Sequence, residues 1–314
     1  MKERAIARHR ALHYNFYKYT HSTRTHMDRH ILLTVSDEYS ALQAVRFVAS
    51  FFSAAAQPHL TLLYVAPNPK AGLTEAEIIQ DYGNLSRREA QTKSLAQTAL
   101  DRAEELLLSK HFPQANIHRK ITYKQLGTAN DIIQEGITGM YDAIALGRRG
   151  LSRLEELIDD SVSKQIFTTP IEIPLWVCRS HEKPAPSVLI CTDGSPASLR
   201  CADHVGFMLA NAPDHQITLL HVDCGSSPAV PEEAIAQARR ILEENGVAGR
   251  RIHQKIVKCS GIAETILRVA REGEYGVLAT GRTGRGESRT MHLLGSVSMN
   301  LLKHLESATL WISH

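Results

Sequence analysis

The chain has 314 residues, 43% of them apolar and 22% charged, with a formal net charge of +3. That balance describes a globular chain long enough for two hydrophobic cores and argues against disorder. The charge is too small to argue for nucleic-acid binding, and no apolar run approaches the ~18 residues of a membrane span.

Residues 1–26 differ in composition from the rest of the chain. Lys2, Arg4, Arg8, Arg10, Lys18 and Arg24 face only Glu3, and the segment lacks the apolar stretch of a secretory signal. It reads as a poorly ordered basic extension. His9 and His13 would share a helix face, which suits a metal, but the favoured reading is a solvated basic tail. Met27 directly precedes the first strand, so a start at that residue also fits.

Ile31–Val35 reads as a buried strand, Ser40–Ala56 as a helix and His59–Ala66 as a second strand. Pro67, Pro69 and Gly72 mark a loop before one long helical region from about Thr74 to Lys110. Asn116–Lys124 is a third strand, Thr128–Ile137 a helix and Tyr141–Gly147 a fourth strand. A helix at Val162–Phe167 and a short strand at Leu175–Val177 close the first half.

After the polar, proline-bearing linker 181–186 the order repeats. Strands are expected at Ser187–Thr192, Ile217–Val222, Ile252–Lys258, Val277–Thr280 and Thr309–Ile312. Helices are expected at Ala197–Leu209, Pro231–Glu244, Ala263–Glu272 and Val297–His304. Strands alternating with helices, the strands near-continuously apolar, imply a parallel, doubly wound α/β sheet in each half. The halves also match residue by residue. Tyr141-Asp142-Ala143-Ile144-Ala145-Leu146-Gly147 parallels Tyr275-Gly276-Val277-Leu278-Ala279-Thr280-Gly281, and Leu175-Trp176-Val177 parallels Leu310-Trp311-Ile312. A period this long means duplicated domains, each able to close its own core. The domain boundaries are then 27–180 and 187–314. The duplicated last strand, with the short linker, suggests that the halves pair edge to edge as an intramolecular pseudo-dimer.

The five cysteines, Cys178, Cys191, Cys201, Cys224 and Cys259, show no CxxC spacing and read as reduced, buried thiols in a cytoplasmic protein. No metal site is expected from them.

Residues 275–298 carry the most chemistry. The fourth strand of the second half ends at Gly281; Gly284 follows, then a loop with Arg282, Arg285 and Arg289 against Glu287, then Gly295-Ser296 opening a helix. Glycines admit close backbone approach, and helix-opening N–H groups favour anions, so the pattern suits a phosphate chain. Ligands in open α/β sheets bind beyond the carboxyl ends of strands at the point where strand order reverses. Asp193, at the end of the first strand, would face this loop. A carboxylate there suits ribose hydroxyls or an adenine amino group, although Asp193-Gly194-Ser195-Pro196 also reads as a simple turn and helix cap.

From about Met27 onward the chain resembles a tandem pair of universal stress protein domains. The nucleotide-binding members of that family carry an aspartate after the first strand and G-x2-G-x9-G-[ST] after the fourth. The second half has Asp193, Gly281-x2-Gly284 and Gly295-Ser296, with ten residues in place of nine before Gly295. The resemblance implies two Rossmann-like domains, each a five-stranded sheet in order 3-2-1-4-5. It implies an adenosine pocket at Thr192, Asp193 and Val222, and a phosphate site at Thr280, Gly281, Gly284, Gly295, Ser296, Val297 and Ser298. The implied ligand is ATP, with or without Mg2+. In the first half Val35 stands at the aspartate position, with Asp37 two residues on, and Asp160 at the third glycine. Glu155, Glu156, Asp159 and Asp160 there outweigh Arg148, Arg149 and Arg153, so the first site is expected not to take ATP.

The leading expectation is a cytoplasmic stress-response sensor or regulator, with no catalytic residues, no nucleic acid or membrane partner, and a homodimer left open. One alternative is an interaction and dimerisation module without nucleotide. The other is a weak ATP-hydrolysing or AMP-transferring enzyme, although neither an SGGxDS-like loop nor an HxGH motif is present.

Overall fold

A computed structural model describes residues 28–37, 42–52, 56–147, 173–179, 184–225, 229–284, 294–306 and 308–313. The basic extension with His9 and His13, the Val162–Phe167 helix, the acidic loop around Gly150 and Asp160, and Arg285, Glu287 and Arg289 lie outside these residues.

The first half contributes β1 (His30–Val35), α1 (Gln43–Phe51), β2 (His59–Ala66), α2 (Glu75–Gln80), α3 (Tyr82–Ser109), β3 (Ile117–Tyr123), α4 (Thr128–Thr138), β4 (Ala143–Leu146) and β5 (Leu175–Val177). The second contributes β6 (Ser187–Cys191), α5 (Pro196–Leu209), β7 (Gln216–Asp223), α6 (Ala229–Glu244), β8 (Ile252–Lys258), α7 (Ile262–Glu272), β9 (Val277–Gly281), α8 (Ser296–His304) and β10 (Thr309–Ser313). The expected single helix from Thr74 to Lys110 is two. Thr74 and Glu77 form a reciprocal capping box that starts α2, and Asp81 ends it before α3 begins.

The strands form one ten-stranded sheet in the order β3-β2-β1-β4-β5-β10-β9-β6-β7-β8. Each half is parallel within itself, in the order 3-2-1-4-5. The halves join where β5 and β10 pair antiparallel, with Trp176 opposite Trp311. That pairing covers the two edges that would otherwise expose unpaired backbone groups.

The pleat sends Ile31, Leu33 and Val35 to one face of the sheet and Leu32 to the other. On the first face the halves do not keep separate cores. One cluster runs from Ala96, Ala99 and Leu100 of α3 through Phe47 and Phe51 of α1, then through Val205 and Met208 of α5 to Ile235 and Leu242 of α6. This corrects the expectation of two self-contained cores. The duplicated halves bury α1 and α5 against the seam, so each completes the other's interior. On the opposite face the clusters stay apart, one around Ile132 of α4 and one around Ile266 and Val269 of α7 with Leu301 and Leu302 of α8. Polar groups also cross the seam. Arg29 Nη1 donates to the Met208 carbonyl at 2.8 Å, and His215 Nε2 lies 2.9 Å from the Phe51 carbonyl.

A second correction concerns the cysteines. Cys178, Cys191 and Cys201 are free, but Cys224 and Cys259 are joined in a disulfide. They follow β7 and β8 at matching heights, with Cα atoms 4.8 Å apart, inside the range a disulfide spans. The sequence hides this because the two are 35 residues apart and meet only through strand register.

Candidate functional site

Strand order in the second half reverses between β6 and β9, which run parallel with Val188 level with Val277 and Ile190 with Ala279. Their carboxyl ends therefore open side by side, one leading to Thr192 and Asp193 and the other to Gly281. This is where an open α/β sheet leaves a crevice.

Local hydrogen bonds fix the β6 side. Thr192 N donates to the Leu220 carbonyl at 2.9 Å, continuing the β6–β7 ladder by one residue. Asp193 Oδ1 accepts from Ser195 N at 2.9 Å, and Gly194 turns the chain at a φ of +73° that side chains rarely adopt. Ser195 then caps α5, its hydroxyl accepting from Ser198 N at 3.3 Å, with Pro196 in the first turn. The turn-and-cap reading is thus satisfied through one carboxylate oxygen. The other, Asp193 Oδ2, points at the glycine loop: a Cβ built on Gly284 would lie 3.3 Å from it. Asp193 and Gly284 are therefore brought together across the crevice.

Gly281 serves a different need. A Cβ there would lie 2.6 Å from the Ala197 carbonyl carbon and 2.7 Å from Ser198 N, so the glycine admits the first turn of α5 against the end of β9. Its carbonyl accepts from Ser298 Oγ at 2.8 Å, which ties the start of α8 to the same strand. Arg282 N donates to the Ser313 carbonyl at 2.7 Å, and Gly295 N to the Arg282 carbonyl at 2.8 Å, so both ends of the glycine loop are pinned to the sheet. Burial lowers the pKa of the Arg282 guanidinium from its ordinary value. Gly295 is the N-cap of α8, with no side-chain cap, so the first backbone N–H groups of that helix have no partner from a capping side chain. Ser296 is exposed at the first position of α8, Val297 half-buried, and Thr280 and Ser298 buried.

Val222 stands half-buried near the carboxyl end of β7. The β6–β7 register, Cys191 opposite Leu220, puts Asp193 level with Val222. Sequence reasoning missed His221, whose Nδ1 lies 2.9 Å from the Thr192 carbonyl and holds β7 to the β6 exit from behind. A histidine inside an apolar strand was its only signal. The register also corrects the expected match of Val35 to Asp193. Ile31, Leu32 and Leu33 lie level with Ala143, Ile144 and Ala145, as Val188, Leu189 and Ile190 do with Val277, Leu278 and Ala279, so Val35 matches Thr192 and Ser36 matches Asp193. Tyr64, which pairs with Val35, then matches His221, and Val65 matches Val222. Among the described residues no group of three His, Cys, Asp or Glu side chains is placed to hold a metal, and no helix is long and apolar enough to cross a membrane.

The model of the Universal stress protein family matches the chain twice, over residues 27–179 and 186–312. No curated protein matches. Among solved structures, a functionally unknown protein of Pseudomonas aeruginosa PAO1 aligns at a TM-score of 0.51 and 14% identity, over 94% of both chains. A protein of Pseudomonas aeruginosa UCBPP-PA14, provisionally described as a universal stress protein, aligns at a TM-score of 0.50 and 13% identity, over 93% of this chain and 94% of that one. At such identities these two establish the tandem fold alone. A universal stress protein solved in complex with cAMP aligns over 42% of this chain and 98% of its own, at a TM-score of 0.34 and 22% identity.

Proposed function

The chain belongs to the universal stress protein family, in two tandem copies, and from that premise we propose that its second copy binds one ATP while the first binds none. The protein then acts in the cytoplasm as a stress-response sensor or regulator, its output set by nucleotide occupancy and not by turnover. Thr192, Asp193 and Val222 would hold the adenosine. Gly284, Gly295, Ser296 and Val297 would hold the phosphates, with Thr280, Gly281 and Ser298 shaping the loop from beneath. Mg2+, where it enters, would be carried by the phosphates.

The observation that carries this reading is the approach of Asp193 Oδ2 to Gly284 at the β6–β9 switch point. A carboxylate facing bare backbone beside an uncapped helix start sets an acceptor for hydroxyl or amino groups next to N–H donors for anions. In the first half Ser36 stands at the level of Asp193 and brings no carboxylate, and Asp160 replaces the third glycine with negative charge.

A second reading, a pairing module without nucleotide, is favoured by Gly281 and Ser298, whose placement is accounted for by packing alone. Identifying and counting nucleotide released on denaturing the purified protein, with calorimetric titration of the stripped chain, separates the two. One adenine nucleotide per chain supports the proposal, and none supports the pairing module. Two equal sites would overturn the assignment to the second copy. Release of ADP during incubation with ATP would point to the enzymatic alternative.

A further inference from the structure

The disulfide between Cys224 and Cys259 sits at the rim of the proposed nucleotide site, and nothing in the ATP-binding reading uses it. We propose that these two residues form a reversible thiol–disulfide exchange site, opened by a dithiol reductant, that controls how firmly the pocket edge of the second copy is held.

Position is the first argument. Cys224 lies two residues beyond Val222, and Cys259 continues the β7–β8 ladder, its N donating to the Asp223 carbonyl at 2.9 Å. The bond therefore clamps the carboxyl ends of β7 and β8. β7 carries His221, which holds the Thr192 carbonyl, so slack at the clamp reaches the strand exit that places Asp193.

Access is the second. Cys224 is exposed and Cys259 half-buried, so an incoming thiolate reaches the Cys224 sulfur. The three remaining cysteines cannot compete. Burial raises the pKa of Cys178 and Cys191 far above that of a free thiol and pushes Cys201 up to about 12. Exchange chemistry is confined to one pair.

Asymmetry is the third. In the first half the matching pair is Pro67 and Lys124: Ala66 and Tyr123 end β2 and β3 as Asp223 and Lys258 end β7 and β8, and Lys124 N donates to the Ala66 carbonyl at 2.8 Å as Cys259 N does to that of Asp223. The clamp exists only in the copy with the intact glycine motif.

The chemistry balances with a dithiol as two-electron donor. Its thiolate attacks Cys224 Sγ, the Sγ–Sγ bond breaks, and Cys259 leaves as a thiolate that takes a proton. The second thiol of the reductant then resolves the mixed disulfide. The protein ends with two thiols and the reductant with one disulfide. A disulfide oxidant reverses the sequence.

The coupling to ATP rests on the proposed function; the exchange itself does not, and the test separates them. Native protein is treated with glutathione disulfide or dithiothreitol, alkylated and weighed. Two labels after dithiothreitol, both mapping to Cys224 and Cys259, are expected, and none after oxidation. In Cys259→Ser, glutathione disulfide should leave one adduct on Cys224, whereas Cys224→Ser should react at least tenfold more slowly. Labelling that begins at Cys178, Cys191 or Cys201, or a cystine that dithiothreitol leaves intact under native conditions, overturns the proposal. Hydrogen exchange at the ends of β7 and β8 should quicken on reduction whether or not nucleotide binds; unchanged exchange overturns the clamp. ATP affinity should fall three- to tenfold on reduction and be redox-independent in the double Cys→Ser variant. Absence of ATP binding in both redox states would overturn the ATP reading while hydrogen exchange still decides the clamp.

Discussion

The indole rings of Trp176 and Trp311 stack across the antiparallel β5–β10 seam, with centroids 4.0 Å apart and planes within 3°. Both are fully buried, and Phe47, Phe51 and Phe52 pack edge-on or flat around the pair. The two copies are thus joined by their least exposed aromatic surface.

The pair is symmetric in position but not in chemistry. Trp176 Nε1 donates to His204 Nε2 at 3.0 Å, whereas Trp311 Nε1 is buried without a partner among the described residues. Matching the copies puts Phe47 where the second copy has His204, both rings lying against the tryptophan pair, and phenylalanine offers no acceptor. Trp176→Phe should therefore destabilise more than Trp311→Phe, by about 1 kcal/mol or more, because it strands the His204 acceptor whereas the other change removes an unpaired donor. Urea unfolding of the two variants tests this. Equal losses would mean that the His204 contact contributes nothing.

Acid should weaken the seam. Burial depresses the pKa of His204 to about 3 and lowers that of His215 as well. Both are neutral in the folded chain, while the unfolded chain takes up protons near the ordinary histidine value of about 6.5. Their contribution is complete above that value and is lost as pH falls from there toward the folded pKa. For His204 alone the loss should reach about 2 kcal/mol by pH 5, at 1.36 kcal/mol per pH unit. Melting curves between pH 7.5 and pH 5 for the parent chain and for His204→Gln should show the shallower slope in the variant. Parallel slopes would remove His204 as the cause.

Gly281 and Gly284 should separate stability from binding. Gly281→Ala drives a Cβ into the backbone of Ala197 and Ser198, so it should cost about 1–3 kcal/mol of stability as overpacking does. Among the described residues Gly284→Ala meets only the movable Asp193 carboxylate. It should leave unfolding nearly unchanged and weaken ATP several-fold, while Asp193→Ala should weaken ATP by about 1.5–3 kcal/mol. Denaturant midpoints and calorimetry on the same samples decide. A Gly284→Ala chain that binds ATP as the parent does would take Gly284 out of the site.

Gly295→Asp copies the residue that the first copy has as Asp160. Its carboxylate would stand at the N-cap of α8, where a phosphate chain competes for the same N–H groups. ATP affinity should fall at least tenfold and adenosine affinity much less. Equal losses for the two ligands would mean that the loop does not hold phosphates.

Much of this frame could be read from the residues because duplicated strands announce themselves twice. The near-continuous apolar runs at Ile31–Val35 and Val277–Thr280 gave the parallel sheet, and the repeated Leu-Trp-Val and Leu-Trp-Ile gave the strands that meet at the seam. What stayed hidden depends on contacts between distant segments. The shared core forms only once α1 and α5 lie on one face, and the cystine only once β7 and β8 are in register. Gly281 looked like part of a ligand loop because a glycine pattern does not say which neighbour needs the space. Asp81 breaks the long helix beside Gly83 and Asn84, where helix propensity is low, and the Thr74–Glu77 box was the local sign of a separate start.

Restoring a site in the first copy is the most demanding test of the ATP reading. Strand register puts Ser36 at the level of Asp193, because Leu33 lies level with Ala145 as Ile190 does with Ala279. Val35→Asp would instead bury a carboxylate in the core beside Tyr64, and a buried carboxylate without partners takes up a proton or destabilises the fold. Val35→Asp with Asp160→Gly should therefore fold poorly and gain no ATP. Ser36→Asp with Asp160→Gly places the carboxylate at a half-buried position and should fold. Its titration should show a second, weaker site, and Asp193→Ala in that background should leave only the new one. If the Val35→Asp double variant binds a second ATP, Ser36 is not the counterpart that matters. If the Ser36→Asp double variant folds yet binds only one, the difference between the copies lies in the loop charges around Glu155 and Asp159 and not in the strand ends.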